Sequence, residues 1–228
     1  SSFRDCLINI LTLRRTMALA IFDLDNTLLG TDSDHQWGEY LCDQGLVVAE
    51  DFRAQNDRFY EDYKLARLDI QAYLCFVLST IKGLSVDAVA TMHQVFFEEY
   101  IAPCMLPKAQ ACLDEHKKRG DTCLVITATS RFITEPIVRA FGIEHLIASD
   151  AQVINGLYTG EPSGIPSFAE GKVKRLNQWL ASRSEFDSVD RYFYSDSRND
   201  LPLLEQVSHP IAVDPDDTLR QVATERGW

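Results

Sequence analysis

Ala18-Leu19-Ala20-Ile21-Phe22-Asp23-Leu24-Asp25-Asn26-Thr27-Leu28 is the stretch on which the reading of this chain turns. Its opening apolar run lacks the alternation of a half-exposed strand and fits a strand buried on both faces of a parallel sheet. The run ends on charge, with Asp23 and Asp25 two apart. In extended backbone, residues i and i+2 point to the same side, so both carboxylates can address one reactant. One can attack or bind a metal while the other handles a proton. A D-x-D standing alone is more often a solvated acidic turn capping a helix. The strand before it and Thr27-Leu28-Leu29 after it tilt the reading towards chemistry.

Downstream, from about Asp34 to Pro103, the pattern turns helical. Ile70, Tyr73, Leu74, Val77, Leu78 and Ile81 form one apolar stripe at helical spacing, and Val86, Val89, Ala90, Phe96, Phe97 and Tyr100 form another. Pro103 and Pro107 close this segment. The expected organisation is a core from residues 17–31 and 104–228, with residues 32–103 inserted as a helical cap.

A helix over Lys108–Arg119, stopped by Gly120, leads to a second buried run, Cys123-Leu124-Val125-Ile126, which ends in Thr127, Thr129 and Ser130. Val153–Tyr158 reads as a hairpin around Asn155-Gly156, and Gly160–Ser167 as loop. Lys172 opens the next helix. Arg191–Tyr194 and Ile211–Val213 are further strands, followed by Ser195-Asp196 and Asp214-Pro215. The alternation predicts an α/β fold with a parallel central sheet. Polar residues gather at the C-terminal ends of its strands, where open α/β sheets place ligands.

The loop Ser195-Asp196-Ser197-Arg198-Asn199-Asp200 adds further acidic groups, and hard oxygen donors of this kind suit Mg²⁺. The same loop also reads as a helix N-cap. The formal net charge of the 228-residue chain is -12, which argues against a nucleic-acid footprint or an anionic membrane surface. Cys6, Cys42, Cys75, Cys104, Cys112 and Cys123 form no C-x-x-C pair and sit among apolar neighbours, as reduced thiols of a cytoplasmic protein do. No apolar run approaches the ~20 residues of a membrane helix. Ser1–Thr16 has an apolar centre, Leu7–Leu13, followed by Arg14-Arg15, the wrong order for a signal peptide. It reads as an N-terminal extension upstream of Met17.

Taken together, FDLDNTL (22–28), VITAT (125–129), Lys172 within EGKVKRL (170–176) and YSDSRND (194–200) resemble the four ordered motifs of the haloacid dehalogenase superfamily, in its phosphoserine-phosphatase-like branch. The resemblance runs from Ala18 to about Asp217. It implies a Rossmann-like three-layer core with an all-helical cap, and a phosphomonoesterase acting on a small phosphorylated metabolite. Asp23 would then be the nucleophile and Asp25 the general acid and base. Asp23, Asp25 through its carbonyl, Asp196 and Asp200 would hold Mg²⁺. Thr127, Lys172, Asn199 and the backbone N–H groups near Leu24 and Ala128 would hold the phosphoryl oxygens. The family pattern G-D-G-x-N-D carries glycines where this chain has Ser195 and Ser197, which weakens close backbone approach. An Asp at position 25 is similar to the phosphatases and mutases rather than to the ion-pumping ATPases, which carry Thr there.

For the substrate, Asp32 matches the hinge acid that grips the amine in phosphoserine phosphatases, and also reads as a solvated turn residue. In an ungapped register, Val77 stands where those enzymes carry the arginine for the substrate carboxylate. An amine site without a carboxylate partner favours an amino-alcohol phosphate. TATSRFITEPI and EGKVKRLNQWL resemble the proteobacterial histidinol-phosphatase-like members of the branch, which points to L-histidinol phosphate. His35 and Trp37 are candidates to stack on its ring, or are cap core. Arg131 reaches substrate or lies at the surface, and His93, His116, His145 and His209 are expected to be structural or exposed. Phosphoserine hydrolysis, phosphoryl transfer to a second alcohol, and a silent phosphate-binding scaffold are the alternatives. The first requires an arginine reaching the cap side of the site from elsewhere.

Overall fold

The computed structural model describes residues 17–228, so Cys6 and the expected N-terminal extension lie outside the described residues. Six strands form one sheet: β1 (Leu19–Phe22), β2 (Thr122–Ser130), β3 (His145–Ile154), β4 (Leu157–Ser163), β5 (Arg191–Ser195) and β6 (His209–Ala212), in the order β4-β3-β2-β1-β5-β6. All pairings are parallel except that of β3 with β4. The α/β fold with a parallel central sheet is therefore as expected.

β1 is apolar throughout because both of its faces are covered. Ala20 and Phe22 join one core cluster, and Leu19 and Ile21 join the other. β2 divides in the same way, with Cys123 and Val125 opposed to Leu124 and Ile126. Helices α5 (Pro107–Lys118) and α6 (Arg131–Ala140) supply Leu113, Ile133 and Ile137 to the first cluster. Helices α7 (Glu170–Leu180), α8 (Leu201–Leu204) and α9 (Asp217–Arg226) supply Leu176, Leu203 and Leu219 to the second. The result is three layers, helix over sheet over helix.

Between β1 and β2 lie α1 (Ser33–Asp43), α2 (Ala49–Lys64), α3 (Ile70–Ser79) and α4 (Val86–Phe96), followed by a π turn over Phe97–Ile101. Leu74, Val77, Leu78 and Ile81 of the expected stripe are buried, whereas Val86 is exposed. The chain enters and leaves this segment side by side, with Gly30 N donating to Cys104 O at 2.8 Å and Leu106 N to Leu28 O at 3.2 Å. The turn after α3 is stitched to the β3–β4 hairpin: Gly83 N donates to Tyr158 O (2.8 Å), Tyr158 N to Leu84 O (2.9 Å) and Val86 N to Gly156 O (3.1 Å). That hairpin turns on Asn155 and Gly156, both with positive φ (52° and 77°), as a tight two-residue connection demands.

Three sequence readings need correction. Gly160–Ser163, the start of the expected loop, completes β4, and its backbone pairs with β3 despite the Gly and Pro it contains. Residues 145–149 form a strand that was not foreseen, because Leu146-Ile147-Ala148 is too short an apolar run to stand out. Lys172 lies third in α7 rather than first.

Candidate active site

The strand ends converge on one cavity. Asp23 follows β1 directly, is 4% exposed and donates its N–H to Tyr194 O at 2.9 Å. Asn26, at φ 55°, bends the chain back, and its N–H donates to Thr31 O at 3.1 Å. Asp25 is fixed through both oxygens: Ser33 N donates to Oδ1 at 2.7 Å and the Thr129 hydroxyl to Oδ2 at 2.7 Å. β1 pairing ends at Phe22 opposite Val125, and the β2–β3 register shifts between Ile126 and Ser130. Thr127, Ala128 and Thr129 thus lie where the ladder opens, with Thr129 N donating to the Thr127 hydroxyl at 3.2 Å.

Lys172 is brought to this point by α7. Its Nζ lies 3.1 Å from Asp23 Oδ1 and 2.8 Å from Asp200 Oδ1. The Ser195 hydroxyl also donates to Asp200, at 2.7 Å. The helix start is tightly specified, since a Cβ on Gly171 would lie 2.1 Å from the Pro166 carbonyl oxygen. Asp196 Oδ1 accepts from the Thr27 hydroxyl at 3.2 Å and faces a neighbouring opening beside Asn26, Tyr63 and Ser197. Asn199 donates its side-chain N–H to Tyr63 O at 3.0 Å, tying this loop to the end of α2.

The carboxyls feel their crowding. Burial is the largest effect at Asp23 and Asp25, and each is raised to about 7. At Asp23, Lys172 pulls the other way while Asp200 and Asp25 add to the rise. Burial, then Asp23 and Asp200, push Asp196 up to about 9. Burial alone would lower the Lys172 ammonium, but Asp200 and Asp23 outweigh it and hold it above its ordinary value.

Of the residues singled out from the sequence, Asp23, Asp25, Asp32, Thr127, Ala128, Lys172, Asn199 and Asp200 line this one cavity, with His35. Asp196 stands at its flank, and the Leu24 side chain is fully buried in the core. Asp32 caps α1, accepting from His35 N at 2.9 Å. Trp37 belongs to the core, packed on Tyr40, Phe96 and Phe132. Val77 is likewise core. Arg131 is held 2.6 Å from Asp150 and does not line the cavity.

Sequence reading missed the aromatic wall. Phe59, Tyr60 and Tyr63 of α2, Tyr73 of α3 and Phe168 before α7 close over the carboxylates, leaving a cavity of about 40 Å³, room for a few waters. The Tyr63 hydroxyl is raised well above its ordinary pKa by burial and then by Asp23, Asp196 and Asp200. The spacing Phe52, Asn56, Phe59, Tyr60, Tyr63 was the available signal, a stripe in an otherwise strongly polar helix.

Paired carboxylates and a lysine gathered at the C-terminal edge of an open α/β sheet suit acyl- or phosphoryl-transfer chemistry. Residues 20–205 match the haloacid dehalogenase-like hydrolase family, and the chain belongs to that family as a phosphatase. It is 48% identical over 213 residues to the histidinol-phosphatase of Neisseria meningitidis serogroup C (strain 8013), covering 92% of this chain and 96% of that protein. A crystal structure of a Bordetella pertussis Tohama I protein, described as of unknown function, is 43% identical with a TM-score of 0.86, covering 93% of this chain and 97% of that one. A phosphoserine phosphatase solved as a phospho-aspartyl intermediate analogue is 17% identical, with a TM-score of 0.68 and 90% of both chains covered; the likeness is one of fold.

Proposed function

We propose that the protein hydrolyses an amino-alcohol phosphate, with L-histidinol phosphate as the leading candidate, through a phosphoryl group carried on Asp23. The observation that carries this reading is the composition of the cavity. Asp32 and Asp34 face it beside aromatic rings, while Lys172 is the only lysine or arginine among the described residues lining it and is already paired to Asp23 and Asp200. A substrate amine finds acids there, but a substrate carboxylate finds no guanidinium. That disfavours phosphoserine, and the name of the Neisseria relative supports the histidinol reading.

In the first half-reaction an Asp23 oxygen attacks phosphorus as the P–O bond to the leaving alcohol breaks. Asp25, clamped by Ser33 and Thr129 and raised to about 7, is poised to give that oxygen its proton. Water then attacks the acyl phosphate, Asp25 takes its proton, and phosphate and free Asp23 result. Lys172, the Thr127 hydroxyl and the N–H groups near Leu24 and Ala128 would hold the non-bridging oxygens.

Crowded carboxylates with one cation between them fit a divalent ion. Among the described residues no three His, Cys, Asp or Glu side chains form a metal cage. Mg²⁺ does not need one, since it takes one or two carboxylates and keeps several waters. Asp23, the Asp25 carbonyl and Asp196 would hold it, with Asp200 acting through water. When bound, it neutralises the charge between the Asp23 carboxylate and the phosphoryl oxygens.

The test is Mg²⁺-dependent phosphate release from L-histidinol phosphate, L-phosphoserine and sugar phosphates, with Asp23→Asn as the blank. Preference for L-histidinol phosphate is the expected result. Preference for phosphoserine overturns the substrate reading, and full activity of Asp23→Asn overturns the covalent mechanism. Stimulation of turnover by added acceptor alcohols would instead mark a phosphotransferase.

A further inference from the structure

Resting on that reading, we infer that Asp34 is a second specificity residue, which holds a basic nitrogen of the leaving group distinct from the amine held by Asp32. Asp34 lines the cavity, is only 6% exposed, and its Oδ1 has no hydrogen-bond partner among the described residues. A buried carboxyl oxygen without a partner costs free energy in the empty site. Here it borders the space that a leaving group must enter, so the substrate can supply the missing partner. The neighbouring acids are otherwise engaged. Asp25 is held through both oxygens, and Asp32 accepts from His35 N at the start of α1.

The surroundings specify the kind of nitrogen. Phe59, Tyr60, Tyr73 and Phe168 line the same cavity, Tyr73 with its hydroxyl towards Asp34, so a flat, polarisable group entering it meets aromatic neighbours. A simple aliphatic ammonium would meet a ring only as a point cation, whereas a heteroaromatic ring with a basic nitrogen can stack on the rings and reach Asp34 as well. Burial, followed by Asp32 and Asp25, raises the Asp34 carboxyl well above the ordinary range, while the Tyr73 and Thr129 hydroxyls facing it pull the other way. A protonated Asp34 donates to a neutral ring nitrogen, and an ionised one accepts from a ring cation. One proton is shared in either case, so the pairing survives whichever partner carries it.

The experiment compares kcat and KM of wild type, Asp34→Leu and Asp34→Asn on three substrates. L-Histidinol phosphate has the amine and a basic ring nitrogen, O-phosphoethanolamine has the amine alone, and p-nitrophenyl phosphate has a ring but no basic nitrogen. In Asp34→Leu the ratio of kcat/KM for L-histidinol phosphate over O-phosphoethanolamine should fall on the order of 30-fold, the scale of one lost hydrogen bond to a charged group, mainly through KM. The inhibition constant of free L-histidinol should rise in parallel. Should Asp34→Leu fail to fold, Asp34→Asn carries the test, with a fall in the same ratio of about fivefold or more. An unmoved ratio, even with a uniform loss on all three substrates, assigns Asp34 to supporting the Asp25–Thr129 corner and overturns the inference alone. A wild-type enzyme that does not favour L-histidinol phosphate overturns the substrate reading, and the inference with it.

Discussion

The side-chain amide of Asn199 donates to the main-chain carbonyl of Tyr63 at 3.0 Å, joining the acidic loop after β5 to the C-terminal end of α2. Both residues line the cavity, with Phe168 beside them. Asn199→Leu should therefore raise KM about tenfold, as expected for the loss of one net hydrogen bond from the closed state. Trypsin should also cut faster at Lys64 and Arg67. Unchanged KM and unchanged cleavage would contradict a closing role.

Lys172 is the counter-ion of two buried carboxylates, Asp23 and Asp200. Lys172→Met leaves both unpaired, and breaking such a pair costs about 3–5 kcal/mol. Asp23, which burial raises and Lys172 pulls down, then resists ionisation further in the folded state, so the deficit should be largest at neutral pH and shrink as pH falls towards the ordinary carboxylate range. Urea melts at pH 7 and pH 5 read this directly. A deficit equal at both values would mean that the loss is one of packing. Activity should fall by about a thousandfold, as for removal of a preorganised electrostatic group.

Gly171 precedes Lys172, and an added Cβ would meet the Pro166 carbonyl oxygen at 2.1 Å. A backbone oxygen cannot step aside as a flexible side chain can, so α7 or the loop before it must move. Gly171→Ala should cost about 1–3 kcal/mol in thermal unfolding. The loss of kcat should be disproportionate because the lysine is carried along. Normal kcat in a destabilised variant would show that the helix start adapts without disturbing the site.

His93 of α4 places Nε2 2.6 Å from the Ile133 carbonyl of α6, and burial lowers its pKa. The unfolded chain then binds a proton more readily than the folded one below the ordinary imidazole pKa of about 6.5. Stability should accordingly be full above about pH 6.5 and fall as pH drops through that value. His93→Gln should flatten part of that slope. His116, which is also lowered by burial, should account for some of what is left. An identical slope in the variant would remove His93 from the account.

The core was legible because parallel strands buried on both faces leave unbroken apolar runs, and because each run ends on polar residues. Asp23, Asp25 and Thr127 thus fall on one edge of the sheet, whereas Lys172, on a helix, is singled out only by the family resemblance. The cap wall was not legible. Its aromatics sit on α2, whose charged face hides the stripe, and a ring facing a cavity cannot be told by sequence from one facing a core. Trp37 and Tyr73 illustrate the point: both belong to helical patterns, yet the first packs among Tyr40, Phe96 and Phe132 while the second borders the carboxylates. Asp34 went unassigned because its meaning lies in a partner that the chain does not contain.

The stitching of the α3–α4 turn to the β3–β4 hairpin makes the enclosure lopsided. Three main-chain hydrogen bonds secure one side, while a side-chain amide crosses the other. Admission is therefore expected from the α2 side, past Tyr63, into a chamber that must seal around its guest. A phosphate tethered to a protein or a nucleic-acid strand would wedge that gap ajar and leave the carboxylates wet. Polymeric phosphoesters are thus expected to be turned away by sheer bulk.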